Sequence, residues 1–185
     1  MIARRPGTYT VDDYRALPEG GPQFQLVDGE LYEMTPGPNT WHQSFLSELA
    51  ARLRIFVRER RLGTVLIAPI DVYLSRRDVL QPDILFLSNE RRARLVKEGL
   101  HGAPDLVVEA LSPSTRRLDL GKKREKYAQH GVIEFFVADV DEETIELYRL
   151  EEDPAHPART LRAGDVFTSA LLPGFEAKVE ELFER

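Results

Sequence analysis

Two stretches of this sequence set a carboxylate inside an apolar run. The acid is Asp83 in Gln81-Pro82-Asp83-Ile84-Leu85-Phe86-Leu87, and Glu109 in Pro104-Asp105-Leu106-Val107-Val108-Glu109-Ala110-Leu111. An ionised carboxylate buried without a partner is costly, so a cation is its natural companion. Lys122, Lys123 and Lys126 follow within one helix length. Two acids and a lysine suit metal-assisted cleavage of a phosphodiester. Strand alternation puts Gln81, Asp83 and Leu85 on one face. It likewise groups Asp105, Val107, Glu109 and Leu111. If the two strands are neighbours, Asp83 and Glu109 converge. Hard divalent cations such as Mg²⁺ take carboxylate, carbonyl and water oxygens. Two carboxylates and a strand carbonyl, that of Ala110, leave positions for water and phosphate. A metal there polarises phosphate and lowers the pKa of the attacking water.

Blander readings stand beside these. Asp83 could cap a strand end after Pro82, whereas Glu109 in mid-strand has no such account. The lysines could form an exposed basic helix. Lys123 shares a helix face with Tyr127, at i and i+4, while Lys122 and Lys126 point elsewhere. A lysine near a metal-bound phosphate stabilises developing negative charge or helps position water. Glu30 reads as a polar strand residue near a hairpin tip. His42 and Gln43 read as helix-opening caps or solvated groups.

The elements that must position these groups are legible from periodicity and turn chemistry. A short helix is predicted over Tyr9 to Leu17, with Thr10 before Asp12 and Asp13 as its N-cap. Asp28-Gly29 between Phe24–Val27 and Glu30–Met34 is a two-residue hairpin signal. Thr35 to Asn39 is a Pro/Gly loop. A helix from Thr40 to Arg60 carries Phe45, Leu49, Leu53, Phe56 and Val57 on one stripe, and Gly63 ends it. Short strands over Thr64–Ala68 and Asp71–Leu74 are broken by Pro69, and Asp83–Leu87 is another. Asn89 to Gly99 reads as helix. Leu106–Leu111 is a strand apolar throughout, as expected when both faces are covered. Ser112 to Thr115 turns into a helix from Arg116 to His130 that Gly131 stops. Strands over Val132–Ala138, Thr144–Leu150 and Thr160–Leu161 follow, then a short helix after Pro173-Gly174-Phe175. This order predicts an α/β protein with one mixed β-sheet flanked by helices on both sides.

The chain has 185 residues, a length that fits one domain over 1–185. Its 42% hydrophobic and 30% charged content is that of an ordinary globular protein. No run is long and apolar enough for a transmembrane helix. The first residues lack the apolar core of a secretory signal. Absence of cysteine excludes disulfides and thiolate metal sites and suits a cytoplasmic location. The net charge of −6 argues against a constitutive nucleic-acid coat. It is unevenly spread: residues 1–138 hold 20 basic and 18 acidic residues, and residues 139–185 hold 5 and 13. Basic clusters lie over Arg52–Arg61, Arg91–Lys97 and Arg116–Lys126, and the third adjoins the strand acids. The four histidines show no zinc spacing. Phosphate-binding loops and the nucleophile elbow are absent too.

Taken jointly, these residues resemble a known pattern. Pro82-Asp83, then Glu109, then a nearby lysine resembles the PD-(D/E)XK nuclease superfamily with its restriction-endonuclease-like fold. Several segments narrow the resemblance to the Uma-two family, a domain of unknown function: Leu26 to Leu31, His42-Gln43, Gln81-Pro82-Asp83, Pro104 to Thr115, Asp119 with Lys123, and Tyr127-Ala128 ahead of Gly131-Val132. It extends from Tyr9 to Phe183. One departure is plain: the position two after Glu109 is Leu111, so the lysine must come from the following helix. The resemblance implies Asp83 and Glu109 as metal ligands, Lys123 as catalytic lysine and Glu30 as a further acid at the site. It also draws His42 and Gln81 towards the substrate, together with Tyr127.

The leading expectation is an Mg²⁺- or Mn²⁺-dependent DNA endonuclease. Arg116, Arg117, Lys122 and Lys126 would hold the phosphate backbone. A C₂ homodimer would suit double-strand cleavage. The alternative is a catalytically silent nuclease-fold module that binds nucleic acid or a protein partner. A two-carboxylate glycosidase fits poorly, since Trp41 is the sole tryptophan and no aromatic cluster adjoins either acid.

Overall fold

In the computed structural model, which describes residues 7–18, 20–34 and 40–184, most element boundaries follow local chemistry. Helix α1 (Val11–Arg15) opens on a capping box, in which the Thr10 backbone N–H donates to Asp13 at 2.9 Å. Strands β1 (Phe24–Val27) and β2 (Glu30–Glu33) join through Asp28 and Gly29, whose φ of 53° and 74° are those a type I′ turn requires. The predicted loop over Thr35 to Asn39 lies outside the described residues.

Helix α2 (Thr40–Arg60) buries the expected stripe. Its stop differs from expectation. Arg61 takes the left-handed position with φ 54°, and Leu62 N–H bonds Val57 O at 3.0 Å, as in a Schellman cap. Gly63 instead opens β3 (Gly63–Ile67). A Cβ there would fall 2.1 Å from Leu87 O, so only glycine admits this approach of the two backbones.

The chain continues through β4 (Val72–Ser75), β5 (Asp78–Leu80) and β6 (Ile84–Ser88). The helix expected over Asn89 to Gly99 does not form. One 3₁₀ turn, Arg92–Arg94, precedes β7 (Leu95–Val96) and β8 (Gly99–His101). Tertiary partners override the local pattern: Leu100 N–H bonds Asp71 O at 2.9 Å, and Arg91 is held 3.1 Å from Asp105. Strand β9 (Leu106–Ala110) leads to α3 (Arg116–Leu118) and α4 (Arg124–His130). These were expected as one helix. A π turn over Asp119–Lys123 separates them, where Gly121 leaves helical geometry at φ −108°, ψ −106°. Strands β10 (Glu134–Asp139), β11 (Thr144–Arg149), β12 (Arg159–Leu161), β13 (Val166–Phe167) and β14 (Ala177–Lys178) and helix α5 (Val179–Leu182) complete the chain.

The mixed α/β class and the helices on both sides are as expected, but the strands divide between two large sheets. One has the order β12-β11-β10-β9-β6-β3 and the other β2-β1-β5-β4-β8-β7. The N-terminal hairpin, β4, β5 and the pieces after Asn89 pair with each other, so they build the second sheet. In the first sheet, Phe45, Leu49 and Leu53 of α2 pack with Ile84, Phe86, Val108 and Phe136. On the opposite face Val107, Phe135 and Val137 meet Tyr127 of α4, with Val27 and Leu80 of the second sheet. Both faces of β9 are therefore covered, and all five of its residues are buried. Each large apolar side chain so buried is worth about 1.5–3 kcal/mol.

A candidate active site at the β6–β9 pair

The antiparallel register pairs Ile84 with Val108 and Leu85 with Val107. Continued by one residue, it sets Asp83 across from Glu109 on the face turned to α4. The Ala110 N–H donates to Asp83 Oδ2 at 2.8 Å, tying the two strands at this point. From α4, Tyr127 Oη donates to Glu109 Oε1 at 2.7 Å. Lys123 Nζ lies 2.6 Å from the same oxygen and 2.9 Å from Asp119 Oδ1. Asp119, Lys123 and Tyr127 are spaced by four residues, so the π turn and α4 present all three on one side. His42, at the start of α2, donates its Nε2–H to Ala110 O at 2.9 Å, which fixes its tautomer.

Two carboxyl groups, those of Glu109 and Asp119, thus share one ammonium in a place nearly closed to solvent, with Asp83 close by. Glu109, Asp119 and Lys123 are 3%, 2% and 2% exposed. Burial pushes the Glu109 carboxyl up to about 8, and the charges of Asp119 and Asp83 add to this against the pull of Lys123. Burial also raises Asp83, while the Ala110 N–H and Lys123 oppose it. Burial alone would lower Lys123, but Asp119 and Glu109 more than reverse this, so it stays protonated. A protonated lysine is a charge stabiliser and not a base.

These groups line a cavity of about 630 Å³, whose wall also includes His42, Gln81 and Ala110. Asp83 Oδ1 and Glu109 Oε2 have no hydrogen-bond partner among the described residues. The acidic excess and these two oxygens fit a divalent cation. Among the described residues, no group of three or more His, Asp or Glu is placed to hold a metal.

The structure leaves the remaining sequence candidates around the rim or away from it. Glu30 is not part of the cavity wall. It accepts from Tyr32 Oη at 2.6 Å and pairs with Lys122 at 2.9 Å, and these two partners, Tyr32 foremost, hold its carboxyl below the usual range. Lys126 is ion-paired with Asp28 of the hairpin turn, and Arg116 with Asp139. Arg117 is exposed. Tyr127 is wholly buried behind Glu109. Sequence reasoning gave Asp119 no role of its own, although its i, i+4 spacing to Lys123 was the available signal. Gln25, also in the cavity wall, was missed, and nothing in a four-residue strand marks it.

A mixed sheet that brings two strand carboxylates and a helix lysine to one cavity defines a restriction-endonuclease-like fold. Residues 11–180 match the Uma2 family, described as "Putative restriction endonuclease", and the chain belongs to that family. It is similar in fold to a solved structure from Anabaena variabilis described as a "putative nuclease belonging to DUF820". The TM-score is 0.77 at 21% identity, over 94% of this chain and 97% of the other. None of the curated proteins compared matches the chain. Among the described residues no helix is long and apolar enough to cross a membrane.

Proposed function

We propose that the chain, acting as one domain, is a divalent-metal-dependent endonuclease that hydrolyses DNA phosphodiester bonds. The observation that carries this is Glu109 and Asp119 sharing the ammonium of Lys123 at a cavity wall that Asp83 also lines. Asp83 and Glu109 would hold Mg²⁺ or Mn²⁺, with the Ala110 carbonyl beside them. When bound, such an ion polarises the phosphate and acidifies its water.

The protein's own groups have distinct tasks. Glu109 Oε1 is occupied by Lys123 and Tyr127, so Oε2 is the oxygen left for a cation. Asp119 gives Lys123 a second anchor, which would keep the ammonium at the site with a cation on Glu109 Oε2. Lys123 then offsets the negative charge that develops on the phosphoryl oxygens. His42 holds the Ala110 carbonyl by its Nε2–H. Glu30 acts on the site indirectly, by holding Lys122 beside Lys123. Arg117 is exposed at the basic rim, and Arg116, Lys122 and Lys126 would reach phosphates by exchanging Asp139, Glu30 and Asp28 for them. Where both strands are cut, a two-fold pair of copies would supply two sites.

The test is cleavage of DNA with Mg²⁺ or Mn²⁺ by the wild type, Asp83→Asn and Glu109→Gln. The proposal expects metal-dependent cutting by the wild type and loss of at least about a hundredfold in each variant. Cutting that persists in chelator, or in folded Asp83→Asn, would sink it.

A further inference from the structure

Gln25 stands in the cavity wall with Asp83 and Glu109. Strand alternation sets it on the same face of β1 as Val27. Val27 packs with Val107 of β9 and Tyr127 of α4, so this face of the hairpin is turned towards the first sheet. One end of the Gln25 carboxamide is fixed. The backbone N–H of Gln81 donates to its Oε1 at 2.9 Å. A backbone N–H only donates, so the oxygen must face it and the NH₂ is the end left over. Gln81 is two residues before Asp83, so the bond ties the carboxamide to the entry of β6.

The NH₂ of Gln25 meets no acceptor among the described residues, although the residue is only 3% exposed. Its nitrogen is not sealed off, in contrast to Gln81 Oε1. Gln25 lines the cavity of the acids and takes no part in the second cavity, of about 470 Å³, to which Gln81 also belongs. The unused donor therefore opens on the space that Asp83, Glu109 and Lys123 line. A donor left without a partner at such depth is unfavourable and calls for an explanation.

The missing partner must be an acceptor, and the wall narrows its chemistry. Lys123 is the wall's one lysine or arginine among the described residues, and Glu109 and Asp119 already hold it. A phosphodiester carries two non-bridging oxygens. With one of them on a cation, the other needs a donor. A neutral carboxamide supplies that donor and adds no charge to an enclosed place.

Resting on the nuclease reading above, we infer that Gln25 is a substrate-binding residue whose NH₂ donates to a non-bridging oxygen of the phosphodiester to be cut.

Two variants separate the donor from the anchor. Gln25→Glu keeps an oxygen for the Gln81 N–H and loses the donor. Gln25→Met stays neutral and loses both. Thermal melting establishes that each is folded, and if one is not, the other carries the test. Where the wild type cuts DNA, each variant should lose at least about tenfold in kcat/KM, the loss expected of one hydrogen bond to a charged group. Calorimetric affinity for Mg²⁺ should weaken by no more than about twofold. A smaller loss of kcat/KM in either folded variant would overturn the inference and leave the nuclease reading standing. So would Mg²⁺ binding that fails in step with cleavage, which marks a support of the acids and not a contact to phosphate. Where the wild type cuts no DNA, the nuclease reading fails and inorganic phosphate decides alone. Titrated with Mg²⁺ present, it should bind the wild type, and each variant at least about tenfold more weakly. No binding to the wild type, or a smaller difference, would overturn the inference.

Discussion

Lys123 Nζ lies 2.6 Å from Glu109 Oε1, and both side chains are almost wholly enclosed. Asp119 sits on the same ammonium at 2.9 Å. Removing the lysine strands two buried acids. Lys123→Met is therefore expected to lose about 3–5 kcal/mol of stability at neutral pH. Urea unfolding measures this, and a loss below about 1 kcal/mol would show that the pair is not held as described.

The Glu109 carboxyl, raised by burial to about 8 from 4.5, sets a pH dependence. Between those values the folded protein keeps a proton that the unfolded chain has released. This contribution to stability is full below about 4.5 and is lost as the pH rises through about 8. In chelator, the thermal midpoint of the wild type should fall over that window, and Glu109→Gln should flatten the fall. Added Mg²⁺ should remove part of it, with protons released on binding. A midpoint that rises towards pH 8 in chelator would contradict the assignment.

Much of this arrangement was legible in the sequence. The strand parity that grouped Asp83 with Leu85 and Glu109 with Val107 is the one observed, because period-two alternation tolerates no slip. The boundaries of α2 were equally plain from its stripe. Other features depend on contacts no local pattern carries. The segment after Asn89 has helical composition, yet Asp71 and Asp105 capture it from elsewhere in the chain. Division into two sheets rests on the same kind of distant pairing. The break at Gly121 was hidden because a glycine within a periodic run is compatible with both a helix and a kink. The acids opposite Lys122 and Lys126 also lie far off in sequence, so the lysines read as free.

Gly121 tests the π turn. No atom lies within 4 Å of a Cβ placed there, so space does not forbid alanine. Alanine favours regular helix over glycine by about 0.5–1 kcal/mol. Gly121→Ala is expected to draw the turn towards regular helix and displace Lys123, so cleavage should fall, as read by melting together with initial rates. Unchanged stability with full activity would show that the kink is dispensable.

Glu30 and Asp83 should separate in their effects. Glu30 is about a third exposed and neutralised by Lys122, with Tyr32 beside it. Glu30→Gln should cost under about 1 kcal/mol and lower cleavage less than about tenfold. A loss equal to that of Asp83→Asn would place Glu30 among the groups that touch the metal or phosphate.

The central claim is that Asp83 and Glu109 form a metal site. Calorimetric titration of Mg²⁺ and Mn²⁺ into the wild type and Asp83→Asn tests it most directly. The account predicts binding to the wild type that tightens as the pH rises towards 8 and vanishes in the folded variant. Equal binding to both proteins would contradict it.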